Sequence, residues 1–194
     1  EKDIIDCTQN ISKRYMGSKK RGETLEKIAL TIFDSVKKIH GLKKRERLLL
    51  RLAALLHDCG KYITMTNVGE ASYEIVMSTE IIGLSHAERE IVANVVRYNY
   101  RDFSHYDSDW TGIPDRQTYL TVAKLTAILR VAVGLDRSHK EKFRDITASL
   151  RDRELLLTVN TSSDITLEKG LFSTRAVFFE EIFNVTPVIK RKRG

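Results

Sequence analysis

Apolar residues recur at helical spacing along most of this chain, and the period changes only near its end. Ile4, Ile5 and Ile11 predict a helix over residues 3–14, interrupted by Gly17-Ser18. Leu25, Ile28, Ala29, Ile32, Phe33 and Val36 form one stripe, predicting an amphipathic helix that fades at His40-Gly41. Leu48, Leu49, Leu52, Leu55 and Leu56 predict the next helix, which runs into His57-Asp58. After Asn67-Val-Gly69 a short helix is marked by Tyr73, Ile75 and Val76. Ser85-His-Ala-Glu88 has the form of a capping box and opens a helix through Ile91, Val92, Val95 and Val96. A polar, aromatic loop runs from Tyr98 to Pro114, with Trp110 expected to pack onto the body. A long helix from about Asp115 to Leu135 should turn Leu120, Ala127, Ile128, Val131 and Leu135 inward.

After Lys140 the period becomes two. Ile146, Ala148 and Leu150 alternate with polar residues, as do Leu155, Leu157 and Val159, with Arg151-Asp-Arg153 as the turn between two strands. Leu167 to Asn184 reads as a helix with Leu171, Phe172, Ala176, Phe179 and Phe183 toward one side, and Pro187-Val-Ile189 supplies a third strand. The expected fold class is mainly α: a helical bundle over residues 1–140, then a small C-terminal α/β subdomain over 141–194 in strand-strand-helix-strand order.

Composition narrows the setting. A hydrophobic content of 42% in 194 residues supports a real core. No run of about 18 apolar residues is present, so no membrane partner is expected. The chain begins with Glu and carries no signal-peptide pattern, which favours an excised fragment. Cys7 and Cys59 are isolated thiols, which points to a reducing cytoplasm rather than a disulfide framework or a structural zinc site. The net charge of +7 implies either an anionic partner, bound with strong salt dependence, or a solvated basic surface.

The candidate chemistry lies at Arg51-Leu-Ala-Ala-Leu-Leu-His57-Asp58-Cys59-Gly60-Lys61-Tyr62. His57 and Asp58 combine an imidazole nitrogen with a carboxylate, which suits a borderline divalent metal or phosphate chemistry. Helical neighbours point about 100° apart, so the two converge only where the helix ends. Gly60 is expected to end it in the left-handed conformation. The plainer reading is a capping histidine beside a solvated aspartate. Ser72, Ser85 and Ser138 lack the setting of a nucleophile elbow, and no glycine-rich phosphate loop exists. His40, His86 and His105 read as surface or capping residues. Arg137, His139 and Lys140 form the best local anion-binding candidate, and an ordinary charged helix end is the competing reading.

Four blocks carry a family resemblance. They are Thr31-Ile-Phe-Asp34 with Lys38-Ile-His-Gly41; Ala54-Leu-Leu-His-Asp-Cys-Gly-Lys61; Ser72 to Ser85 with Glu88-Arg-Glu-Ile91; and Ile128-Leu-Arg-Val-Ala-Val-Gly-Leu-Asp-Arg-Ser-His139. In this order they resemble the helical HD-domain superfamily and, more closely, the C-terminal half of the exopolyphosphatase / guanosine pentaphosphate phosphatase (Ppx/GppA) family. The resemblance implies an HD-domain-like bundle whose metal site takes ligands in the order His, His-Asp, Asp. His57 and Asp58 supply the middle pair. The first His falls at Arg21 and the last Asp at Val133, and neither replacement can coordinate an ion. Asp136, one turn along, would substitute only if the helix shifted. Gly69-Glu-Ala71 stands where the family tends to carry histidines. Arg21 either pairs with Asp58 or grips phosphate, or it points into water beside Lys19 and Lys20.

The resemblance therefore implies an accessory region with a degenerate metal site and no expected cofactor. It would bind polyphosphate or phosphorylated guanosine nucleotide through Lys19, Lys20, Arg21, Lys61, Arg137, His139 and Lys140. Its implied partners are an N-terminal actin-like ATPase-fold half of the same protein and a second copy in a homodimer. Two alternatives stay open. One is an active phosphohydrolase at His57-Asp58, completed by Asp136 and using manganese or magnesium. The other is a purely structural dimerisation module.

Overall fold

The computed structural model describes residues 1–103, 113 and 115–192, so Trp110 and His105 lie outside the described residues. The helices are α1 (Lys2–Arg14), α2 (Lys19–Ser35), α3 (Lys37–His40), α4 (Lys44–Leu56), α5 (Val68–Ser78), α6 (His86–Tyr98), α7 (Arg116–Leu135) and α8 (Thr166–Phe183). A 3-10 turn at Cys59–Tyr62 links α4 to α5, and the strands are β1 (Thr147–Arg151), β2 (Glu154–Asn160) and β3 (Thr186–Lys192). The fold is mainly α with a small three-stranded sheet, as the change of period predicts.

Local chemistry sets the helix starts. Ser18 accepts from the Arg21 amide to open α2, and Asp115 accepts from the Thr118 amide at 2.9 Å to open α7. Ser85 and Glu88 complete the reciprocal capping box of α6. Gly41 takes the left-handed conformation after α3, and Asn184 does so after α8.

The core is one contiguous cluster centred on α7, which packs against α2, α4, α6 and α8. Leu25, Ile28 and Ile32 of α2, Leu50 and Leu52 of α4, and Leu125, Ile128 and Leu129 of α7 are fully buried. Each such side chain contributes roughly 1.5–3 kcal/mol by leaving water. Among the described residues α7 is the helix long and apolar enough to cross a membrane, but 67% of that window is buried inside the fold. β1 and β2 pair antiparallel, with Arg151 opposite Glu154 at the turn, while β2 and β3 pair parallel across α8. Leu155, Leu157 and Val159 face the core, as their alternation predicts.

Three expectations need correction. Leu120 is 39% exposed, because the inward positions early in α7 are Thr121, Val122 and Ala123. Leu171 likewise stays exposed, leaving Phe172, Ala176 and Phe179 as the inner face of α8. His40, expected at the surface or in a capping role, is fully buried, so only the surface half of that expectation falls. Its Nε2 donates to the Phe33 carbonyl at 3.0 Å and its Nδ1 accepts from the Leu42 amide at 2.8 Å, so it serves the backbone where α2 gives way to α3.

Two arginines close the end of α6. Arg130 donates to the Tyr98 carbonyl through Nε (2.9 Å) and Nη2 (2.6 Å), and to the Arg101 carbonyl through Nη2 (2.6 Å). Arg175 donates to the Asn99 carbonyl (3.0 Å), the Asn99 Oδ1 (2.5 Å) and the Arg130 carbonyl (3.4 Å). Helix C-termini leave carbonyls without intrahelical partners and carry partial negative charge, so cations are stabilised there without a carboxylate.

Candidate functional site

Three helix ends meet at one pocket. Gly22 of α2 packs directly on Leu55 of α4, two residues before His57, which brings Arg21 at the start of α2 to the end of α4. α4 ends at Leu56, and the backbone leaves helical geometry at Asp58 (φ −129°), so the adjacent His57 and Asp58 side chains converge. Their Nε2 and Oδ2 atoms lie 3.5 Å apart. α7 ends at Leu135, and Asp136 at its C-cap turns its carboxylate into the same pocket.

Arg21 lies between the two carboxylates. Its Nη1 is 3.5 Å from Asp58 Oδ2, and its Nε donates to Asp136 Oδ2 at 3.4 Å. Asp136 is 1% exposed, and its other oxygen accepts the Glu141 amide at 3.1 Å. Burial raises the Asp136 pKa, and the Glu141 amide and Arg21 oppose that rise. Lys61 Nζ reaches Asp58 Oδ2 at 3.9 Å from the solvent side.

Gly60 corrects the sequence expectation of a left-handed stop. Its φ is not positive, and it sits inside the 3-10 turn. A Cβ there would lie 2.4 Å from the Val68 carbonyl oxygen and 2.6 Å from the Ser72 nitrogen, so glycine is required by the close approach of α5. Its amide donates to Ser72 Oγ at 3.0 Å. Cys59 is buried beneath, and burial pushes its thiol up to about 12, which keeps it protonated and inert.

His57 is 2% exposed, and its Nδ1 contacts the Ala54 carbonyl at 2.8 Å. A carbonyl only accepts, so Nδ1 carries the proton and Nε2 is the bare nitrogen of the neutral ring. Burial holds the His57 pKa down at about 4, against an ordinary value of 6.5. The unfolded chain takes up a proton near 6.5 that the folded ring refuses until about 4. The His57 contribution to stability is therefore fully present above 6.5 and is lost as pH falls toward 4. The loss should be on the order of 2–3 kcal/mol. Urea unfolding of the native chain and His57→Asn across this window checks it: the difference between them should narrow as pH falls. Asp136, with its raised pKa, acts in the opposite sense in both proteins and cancels.

Around the mouth of the pocket the charge is positive. Lys61 has its pKa lowered by burial and by Arg21 and Arg137, against the pull of Asp58. His139 has its pKa lowered by burial and then by Arg21, and Lys61 also contributes. Lowered values at Lys61 and His139 beside Arg21 mark a concentration of positive charge that an anion would relieve.

The family model for Ppx/GppA phosphatase, domain III, matches residues 6–175. The chain belongs to the Ppx/GppA family. A search of the curated proteins finds no match. As a domain III, it is one part of a multidomain architecture.

Within this domain III the structure sorts the residues singled out from the sequence. Arg21 is paired, with a side chain only 12% exposed, rather than pointing into water. Lys19 and Lys20 are solvated, pairing with Glu23 at 3.8 Å and with Glu141 at 3.0 Å. Arg137 and Lys140 are exposed, and no ion pair holds either of them among the described residues. Val133 does not face the pocket's carboxylates but lines a cavity of about 170 Å³ against α8, with Leu171 and Arg175. Asp136 reaches the pocket without any shift of α7, because the helix has already ended. The arginine pair Arg130 and Arg175 was missed, since Arg130 was only a bystander in the last family block, Arg175 sits in no motif, and their carbonyl partners at the end of α6 are distant in sequence.

Proposed function

We propose that this domain III is the accessory, non-catalytic region of a Ppx/GppA-type phosphatase. It adds polyphosphate or phosphorylated guanosine nucleotide binding to the catalytic half, and it assembles as a dimer. The observation that carries this reading is the Arg21 guanidinium between Asp58 and Asp136, beside the cations Lys61 and Arg137 and the His139 imidazole. A pocket whose carboxylates are already paired with a guanidinium is a degenerate metal site, which leaves the rim cations to meet phosphate. Lys19, Lys20 and Lys140 extend the basic surface, while Arg21 holds the pocket beneath it. Phosphate oxygens take charge-assisted hydrogen bonds from Lys and Arg, and Arg adds bidentate geometry.

The test is binding of polyphosphate of defined length across a salt series. The native chain should bind with affinity that falls steeply with salt. The double substitution Lys61→Ala with Arg137→Ala should weaken binding about tenfold or more and flatten the salt slope by about one to two. Asp58→Asn should leave binding intact or tighten it, because Asp58 competes with phosphate for Lys61. Salt-insensitive binding, or binding indifferent to the double substitution, would sink this reading and leave a structural dimer module. Manganese-dependent phosphohydrolysis abolished by Asp58→Ala would instead establish the enzyme reading at His57-Asp58.

A further inference from the structure

We propose that the cavity between α7 and α8 is a second anion site, built from Arg137, Thr174 and Arg175, that takes one phosphate group. It shares Arg137 with the surface proposed above but does not rest on the reading of the Arg21 pocket.

Positive charge is out of balance here. The side chains that act most strongly on the half-buried Arg175 are Arg130, Tyr100 and Arg137, and no carboxylate is among them. Burial pushes the Tyr100 phenol up, so it stays protonated and supplies no negative charge. Arg130 has the carboxylates of Asp102 and Glu181 acting on it. Arg137 is exposed, and no ion pair holds it among the described residues. By contrast, Arg45 and Arg47 each grip a carboxylate with a fork of two bonds. Two guanidiniums thus border one cavity without a full counter-charge, because helix-end carbonyls offer Arg175 only partial charge.

The walls suit an anion of limited size. The cavity measures about 170 Å³, with Val133, Gly134 and Leu171 beside the three polar residues. Small-molecule sites run to about 300–1,000 Å³, so this one admits a single phosphate group and leaves the rest of a larger molecule outside. Gly134 lets the Arg175 stem lie on α7, since a Cβ there would be 2.9 Å from Arg175 Cβ. Three of the five N–H groups of the Arg175 guanidinium are spent on oxygens of Asn99 and Arg130, which fixes its plane and leaves two donors. Arg137 adds a second fork, and the Thr174 hydroxyl can donate to a phosphate oxygen. Val133 and Leu171 supply apolar surface, beside which charge-assisted hydrogen bonds gain strength. A carboxylate offers two oxygens in one plane and a single charge. A phosphate group offers three oxygens and a charge of about −1.5 to −2, which matches donors approaching from two helices.

The experiment titrates inorganic phosphate into the chain and follows arginine Nε–H, lysine, histidine and backbone amide resonances by NMR. The Arg137 and Arg175 Nε–H signals and the Thr174 amide should move together and saturate. Sodium chloride at matched ionic strength should leave them near their starting positions, and acetate should bind about tenfold more weakly or worse. Thr174 is exposed on α8, where Glu and Lys are good helix formers. Thr174→Glu should raise the phosphate dissociation constant read at Arg175 about tenfold or more, and Thr174→Lys should lower it about threefold or more. An equal response to chloride and phosphate overturns the proposal, as does an Arg175 shift indifferent to both substitutions. Acetate binding as tightly as phosphate overturns the assignment to phosphate. A response confined to Lys61 and His139 overturns this site and leaves the binding proposed above standing. A response at Arg175 with Lys61 and His139 unmoved supports this site and counts against that binding.

Discussion

Arg21→Met is expected to lower the unfolding free energy by about 3–5 kcal/mol, the cost of leaving a buried charge without its partner. Methionine keeps most of the aliphatic stem, so packing changes little and the lost quantity is the positive charge. Asp136 bears the consequence, because it is 1% exposed and burial already raises its pKa. The Glu141 amide covers one of its oxygens, and Arg21 covers the other. Asp58 is less affected, since it is part-exposed and keeps Lys61 nearby. Urea unfolding gives the number, and a double-mutant cycle gives its origin. In an Asp136→Asn background the cost of Arg21→Met should shrink by at least half, because no carboxylate is then stranded. A cost under about 1 kcal/mol in the native background would place Arg21 with ordinary surface ion pairs.

Arg175→Met should cost about 2–4 kcal/mol, from carbonyl and amide oxygens that lose a charged donor. The guanidinium makes three hydrogen bonds, two to Asn99 and one to the Arg130 carbonyl, and so ties α8 to α7 and to the end of α6. Burial and the neighbouring Arg130 pull its pKa down to about 10, so the site tolerates this charge only because the helix end compensates. Arg175→Lys should recover a minor part, since one ammonium cannot reproduce the three directed contacts. Amide exchange should accelerate most at the last turn of α6, the region whose carbonyls are released. Arg191→Ala is the control: it loses one exposed bond to the Thr161 carbonyl and should change stability by about 0.5 kcal/mol or less. Equal effects of the two substitutions would mean that the helix-end role of Arg175 is minor.

Much of this protein was legible in the chain because its information is local. The 3.6-residue stripes of α2 and α4, the capping box at Ser85 and Glu88, and the alternation through Leu155, Leu157 and Val159 each report a neighbourhood of a few residues. The family followed for the same reason, since its blocks are continuous runs, and the match over residues 6–175 agrees. His57 and Asp58 drew attention as adjacent residues at a helix end, and the end of α4 does let them converge.

The remainder was decided by long-range geometry. Position 21 read as either paired or solvated, and only the approach of Gly22 to Leu55 sets its guanidinium against Asp58 and, 115 residues along the chain, Asp136. Asp136 looked one turn out of register because register assumes that the helix continues, whereas α7 stops one residue earlier. Gly60 carried a conformational reading, but a carbonyl of α5 dictates its size. The roles of Arg130 and Arg175 could not be read from the sequence, because all but one of the oxygens they bond are backbone carbonyls that every residue possesses. Sequence thus determined the elements, the family and the His-Asp pair, each by spacing along one segment. Tertiary structure decided which charges meet, because a buried charge is satisfied by whatever the packing of distant helix ends places within about 3–4 Å of it.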